Sequence, residues 1–197
     1  MEKIRLGIIG VGNMGSSHAR KVTRGDVPDF VLTAVADIDP IKLEWAQENL
    51  EESVVRFDTA EAMLDSGLID ACIVATPHYD HPTYVIECLK RGIHVMSEKP
   101  AGVYTKQVRE MMEVADQHPE VVFGMMFNQR TNHIYRKLKE IIDSGVYGNI
   151  RRTNWLITNW YRPQAYYDSG AWRATWSGEG GGVLMNQCPH QLDLWQW

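Results

Sequence analysis

The 197-residue sequence predicts an α/β fold: a doubly wound parallel sheet with helices on both faces, followed by a smaller unit of different character. Three observations predict it. Short apolar runs alternate with helical patterns of about ten residues through the first part of the chain. The first run closes on a glycine-rich turn. The alternation then stops near residue 126. Parallel neighbours need crossover connections, and a helix between each pair of strands supplies them.

The elements follow in order. Ile4 to Ile9 is apolar and bounded by glycine, as expected of a strand covered on both faces, and Ser16 to Arg24 reads as a helix. Phe30 to Ala36 is a second strand. Leu43, Ala46 and Leu50 form one face of a helix, and Asp58 with Glu61 three residues later resembles a capping box opening a short helix through Leu64. Ala71 to Ala75 is a buried strand. Thr83 to Lys90 follows as a helix with Val85, Cys88 and Leu89 on one side, then a strand from Ile93 to Met96. Thr105 to Asp116 carries Val108, Met111, Met112 and Ala115 at helical spacing, and Val121 to Met125 is the last strand of the first domain, residues 1–126.

Residues 127–197 read differently. Asn132 to Asp143 is a helix with Ile134, Leu138, Ile141 and Ile142 on one face, ended by the turn Gly145 to Gly148. Ile150 to Trp160 is rich in Thr, Ile and Trp and suits a strand of a second, antiparallel sheet. Val183 to Trp197 reads as one helix still running at the last residue, so this second domain is expected to be truncated. Six of the seven tryptophans, at 155, 160, 172, 176, 195 and 197, lie here. They either build a second core or offer stacking platforms for a flat or cyclic ligand.

Composition narrows the function classes. Hydrophobic residues at 44% and charged residues at 23% suit an ordered chain and argue against disorder. Twenty basic against 25 acidic residues leave a net charge of -5, with no basic cluster for a phosphate backbone, so no nucleic-acid partner is expected. No apolar run approaches the length of a membrane span. Cys72, Cys88 and Cys188 are odd in number and lack metal-ligand spacing, which fits a reducing compartment, with the cytoplasm as the expected location.

Chemistry concentrates in a few places. Gly10-Val11-Gly12-Asn13-Met14-Gly15 spells G-x-G-x-x-G between a strand and a helix. Gly10 permits the tight turn, Gly12 the close approach of a pyrophosphate, and Gly15 close helix packing, with the anion on backbone N–H groups at the helix N-terminus. Asp37 ends the second strand, where a carboxylate accepts from the adenosine ribose hydroxyls and repels a 2′-phosphate. The cofactor expected is NAD. The competing reading has Asp37 merely open a turn ahead of Asp39-Pro40. Glu98-Lys99-Pro100 follows a strand and so lies at the carboxyl edge of the sheet, where ligands bind. Gly180 to Gly182 leads a helix whose Asn186, His190 and Asp193 share one face at helical spacing. His78 and His81 lack a carboxylate or thiolate set, so no metal is expected, and His81 reads as a helix start. Cys188 reads as a packed thiol. Tyr161, Arg162, Tyr166, Tyr167, Trp172 and Arg173 form an aromatic and basic stretch that fits either a sugar pocket or loop packing.

These motifs, together with the turn Gly145-Val146-Tyr147-Gly148-Asn149-Ile150, stand in the order and spacing of the Gfo/Idh/MocA oxidoreductases, which the whole chain resembles. The resemblance implies a Rossmann domain followed by an α/β domain with a mostly antiparallel sheet. It implies NAD-dependent oxidation of a secondary alcohol of a sugar, sugar derivative or inositol. Lys99 matches the family's catalytic lysine and His190 its acid/base. Ala75-Thr76-Pro77 with His81 resembles the loop above the nicotinamide, and Trp172-Arg173 the substrate-side loop. Asn186 stands where many members have Asp, and an amide orients a hydroxyl rather than taking its proton. A polyol or sugar substrate and a homo-oligomeric full-length protein are implied. Two alternatives accompany this reading: oxidation coupled to elimination of a glycosidic bond, with no net redox, and a ligand-sensing regulator without turnover. The presence of Lys99 and His190 argues against the sensor.

Overall fold

The computed structural model describes residues 2–158, 160–170 and 172–197. The chain divides into two compact units, residues 1–126 and 127–197.

The first unit is a six-stranded, all-parallel sheet in the order β3-β2-β1-β4-β5-β6. Its strands are β1 (Ile4–Ile9), β2 (Phe30–Ala36), β3 (Val55–Phe57), β4 (Ala71–Val74), β5 (His94–Ser97) and β6 (Phe123–Met125). Between them run α1 (Asn13–Thr23), α2 (Pro40–Asn49), α3 (Ala60–Leu64), α4 (His81–Lys90) and α5 (Thr105–Gln117). Strand order reverses between β1 and β4, and in sheets of this kind ligands bind beyond the carboxyl ends of the strands at that point. Two apolar layers hold the sheet. On one side Leu6, Ile8, Val11, Ala19, Val22, Val35 and Ala46 pack together; on the other Ile9, Met63, Val74, Val85, Leu89 and Met111 do so.

Local chemistry sets the element ends. Asp39 caps α2, its Oδ1 accepting from the Ile41 N–H at 3.0 Å, with Pro40 at the first helical position. The cap of α3 is Thr59, not Asp58: Thr59 Oγ1 accepts from the Ala62 N–H, three residues on, and Asp58 lies one position too early to reach. The three-residue β3 escapes a periodicity reading because Val-Arg-Phe is too short to show one, yet it completes the edge beside β2.

The second unit contains α6 (His133–Asp143), capped by Asn132, then α7 (Gln164–Asp168), α8 (Trp176–Glu179), α9 (Val183–Asn186) and α10 (Pro189–Gln196). Among its described residues there is no strand. The expected strand Ile150 to Trp160 has no ladder over residues 150–158 and 160, and a strand exists only through a partner's hydrogen bonds; residue 159 lies outside the described residues. The single helix expected over 183–197 is also corrected. It breaks at Gln187 and Cys188, because Pro189 has no N–H to give and disfavours helical backbone just before it, while suiting the first position of α10. Tyr135, Trp155 and Trp195 pack ring to ring at 5.6 and 6.4 Å, so part of the tryptophan set builds local packing. No helix among the described residues is long and apolar enough to cross a membrane.

Candidate functional site

Three loops meet at the carboxyl edge of the first unit, after β1, β4 and β5. The glycine turn comes first. Gly10 has φ +86°, and a Cβ there would lie 2.8 Å from the Ala75 carbonyl oxygen, so a side chain is excluded by both strain and space. A Cβ on Gly15 would lie 1.8 Å from the Gly10 oxygen, which fixes how closely α1 sits under the turn. Over Gly12 there is open space: nothing stands within 4 Å of its missing Cβ. Gly12 is also the N-cap of α1, and no side chain caps the first-turn N–H groups at Asn13 and Met14, the kind of helix end that suits an anion.

Asp37 closes the other side of this cradle. Its Oδ2 accepts from the Val11 N–H at 2.8 Å and its Oδ1 from the Asp39 N–H at 2.9 Å. One carboxylate thus holds both the glycine turn and the turn into α2, and the bond to Asp39 is the one the turn-opening reading of Asp37 expects. A carboxylate offers about four acceptor positions, so these two bonds leave capacity for ribose hydroxyls. Open space over Gly12, an uncapped helix end and a carboxylate beside the turn together fit a dinucleotide.

The loops after β4 and β5 are fastened by histidines. His81 opens α4 and is 1% exposed, with Nδ1 2.7 Å from the Pro100 carbonyl oxygen and Nε2 2.8 Å from that of Thr76. Burial pulls its pKa down, against the opposing pull of the two carbonyls, Glu98 and Asp80. With a carbonyl beside each ring nitrogen and one N–H in its neutral form, His81 donates to one carbonyl at a time and sits between the Thr76-Pro77 loop and the Lys99-Pro100 loop. Thr76 Oγ1 is buried without a hydrogen-bond partner beside this loop.

Glu98 is the second fastening. It is 5% exposed; Oε1 lies 2.7 Å from His18 Nε2, and Oε2 accepts from the Lys99 N–H at 3.3 Å. Burial pushes the carboxyl up, but the His18 hydrogen bond and the charges of His18 and Lys99 outweigh it and hold the group below its ordinary value. Glu98 thus links α1 to the backbone of Lys99. His18, on α1, was missed by the sequence reading. Its partner lies 80 residues away, and no local pattern announces such a pair. Lys99 itself is half-buried at the mouth of the loop.

Two other features of this unit stay outside the site. Cys72 and Cys88 are buried together, and the contact between the thiols, with burial, pushes the Cys72 pKa up, away from a reactive thiolate. A cleft of about 290 Å³ presents an almost wholly apolar surface from Leu6, Val22, Val95 and Met96, although His18, Lys21 and His94 also stand on its wall.

In the second unit, Asn186 ends α9 while His190 and Asp193 lie on α10, so the three do not share one helix face. Asn186 is buried and donates through Nδ2 to Glu179 Oε1, itself buried. Asp193 accepts from Arg130 Nε at 2.8 Å and Nη2 at 2.5 Å, pairing with that neighbour. His190 stacks edge-on to Phe127 with ring centroids 6.2 Å apart. Glu179 carried no sequence signal, since it falls among glycines. Trp172 and Arg173 stack on each other at 4.7 Å.

Comparison with known proteins follows the same two units. A family model described as the GFO/IDH/MocA oxidoreductase family, NAD-binding Rossmann fold, matches residues 4–125, and its C-terminal domain model matches residues 135–197. The rhizopine catabolism protein MocA of Rhizobium meliloti is 28% identical over 100% of this chain and 57% of its own length. The myo-inositol 2-dehydrogenase of Thermotoga maritima is 31% identical over 74% of this chain and 42% of its own. Among solved structures, the WlbA dehydrogenase of Chromobacterium violaceum, determined with NADH and UDP-GlcNAcA, superposes with a TM-score of 0.84 at 30% identity, covering 100% of this chain and 55% of that one. Myo-inositol 2-dehydrogenase from Lactobacillus plantarum gives 0.70 at 33% identity, over 76% of this chain and 43% of its own. The chain spans about half the length of the curated relatives it matches.

Proposed function

Because this chain belongs to the GFO/IDH/MocA oxidoreductase family, we propose that its two units serve an NAD-dependent dehydrogenase acting on a secondary alcohol of a sugar, sugar derivative or inositol. Residues 1–126 are the dinucleotide unit and residues 127–197 belong to the substrate side. The observation that carries the reading is the cradle of Gly12, the uncapped α1 terminus and Asp37.

Gly10, Gly12 and Gly15 with the N–H groups at Asn13 and Met14 would hold the pyrophosphate, Asp37 the ribose, and the Thr76-Pro77 loop the nicotinamide end. The carboxylate of Asp37 repels a 2′-phosphate, which favours NAD over NADP. When bound, the nicotinamide ring supplies the hydride acceptor. The chain's own residues handle the proton and the charge. Removing hydride from a carbinol carbon requires the hydroxyl proton to leave, and the imidazole of His190 takes it. The Lys99 ammonium stabilises the developing alkoxide, held in register by Glu98 at its own N–H and by His81 at Pro100. Asn186, gripped by Glu179, orients and does not transfer a proton.

The test is a polyol and sugar panel on the full protein, read by NADH absorbance, with NAD and NADP titrated separately. NADH should accumulate with at least one substrate. Lys99→Ala or His190→Ala should lower turnover by at least about 10²-fold while NAD affinity stays nearly constant. Asp37→Ala should erode the preference for NAD over NADP. Glycoside cleavage without NADH, or ligand binding without either, would displace this reading.

A further inference from the structure

Between Trp160 and Trp176 the second unit holds two arginines that form no ion pair with a carboxylate among the described residues. The Arg162 guanidinium lies 3.9 Å from the ring centroid of Tyr166 and 5.3 Å from that of Trp160. The Arg173 guanidinium lies 4.3 Å from the same Tyr166 ring, with Nη1 donating to the Tyr166 hydroxyl at 2.5 Å. Two guanidinium groups thus share one aromatic ring. Stacking engages their faces and leaves N–H edges directed elsewhere.

Apart from the Arg173 bond to Tyr166, the inner edges of both groups find no acceptor among the described residues. The Nε–H of Arg162 and that of Arg173 are both buried without a hydrogen-bond partner, and neither arginine forms an ion pair among the described residues. The carboxylates that follow in this part of the chain have other partners: Asp168 accepts from Gln164 Nε2 at 2.9 Å, Glu179 from Asn186, and Asp193 from Arg130. Arginine cannot lose its proton, so two like charges are held close together with donors unsatisfied, an arrangement that an incoming oxyanion would relieve.

The backbone is built to present them. Ala174 adopts φ +56°, in the left-handed region that L residues other than glycine avoid. A Cβ on Gly178 would lie 2.1 Å from the Trp172 carbonyl oxygen, and one on Gly170 would lie 3.1 Å from Trp172 Nε1. Trp172 is clamped from both sides, and Arg173 is fixed with it.

We propose that Arg162 and Arg173 form a subsite for an anionic substituent of the substrate, a carboxylate or phosphoryl group carried on the sugar. The inference deepens the dehydrogenase reading and rests on it for the identity of the ligand as a sugar. Planar guanidinium edges match the paired oxygens of either anion, whereas the hydroxyls of a neutral cyclitol leave both charges unmatched.

The test uses the full protein with NAD present and titrates myo-inositol, a hexuronate and a hexose phosphate by calorimetry at low and high salt. One anionic ligand should bind at least about tenfold more tightly than inositol, its affinity should fall as salt rises, and Arg162→Gln or Arg173→Gln should remove the advantage. Which anion wins identifies the substituent. Equal binding of inositol, binding of none of the three, or glutamine variants that still prefer the anion would overturn the proposal. Where a variant fails to fold, the anion-to-inositol ratio and its salt dependence on the unaltered protein decide. Titration of NAD alone tests the underlying reading: NAD binding without anion preference removes only the subsite, and anion preference without NAD binding removes only the dinucleotide.

Discussion

The two units are held together by different forces. In residues 1–126 the interior is mainly apolar: Ile8, Val35, Met63, Leu89 and Met111 are almost wholly buried in two layers astride the sheet, and the buried polar groups His78, His81, Ser97 and Glu98 are few beside them. In residues 127–197 the buried described residues are Glu179, Asn186, Pro189 and Asp193, while the apolar stripe of α6 (Ile134, Leu138, Ile141 and Ile142) is exposed. Area burial stabilises without regard to direction, so the first unit can form a rigid platform from many interchangeable contacts. Hydrogen bonds and ion pairs are directional and few. They fix side-chain positions in the second unit, as Glu179 fixes Asn186 and Arg130 fixes Asp193.

The sharpest way to break the contrast is at the glycine turn. Gly15→Ala sets a methyl against the Gly10 oxygen, and only a backbone shift can relieve it. A loss of about 4 kcal/mol or more in urea unfolding, with loss of NAD binding, is expected. Next come the cores. Leu89→Ala should cost about 2–5 kcal/mol, whereas Ile141→Ala, on the exposed stripe, should stay within about 0.5 kcal/mol. Equal costs would show that the stripe is as well packed as the core. Arg130→Ala leaves the Asp193 carboxylate buried without its main donor and should cost the second unit about 1–3 kcal/mol, followed by its tryptophan fluorescence.

The smallest effect is a pH dependence confined to the first unit. His81 has its pKa lowered in the folded protein, so between its ordinary value of 6.5 and the lower folded value the unfolded chain binds more protons. Stability therefore falls as pH drops below 6.5 and levels off once the folded His81 protonates. Glu98, also lowered, adds stability that is present above its ordinary 4.5 and is lost on further acidification through its folded value. His81→Phe should remove the first slope and leave the second, as measured by denaturant titrations across pH.

Much of the fold was legible because its signals are local. The ends of β1 and β2, and the beginning of α5, follow from runs and periodicities contained within each segment. The glycine turn and Asp37 were equally legible, since spacing along the chain places them together. The break before α10 had a local signal too: Pro189 forbids the continuous helix that the apolar spacing suggests. The strand reading of residues 150–160 failed for another reason, since composition records a preference and a ladder needs a partner.

The sequence by itself determined the parallel sheet and the glycine turn between β1 and α1, because each depends on residues within one turn or one strand. Tertiary structure alone decided that His18 meets Glu98, that His81 spans two carbonyls, that Glu179 holds Asn186 and that two arginines share the Tyr166 ring. Buried polar groups must find partners wherever the folded chain brings them, and no periodicity encodes where that is.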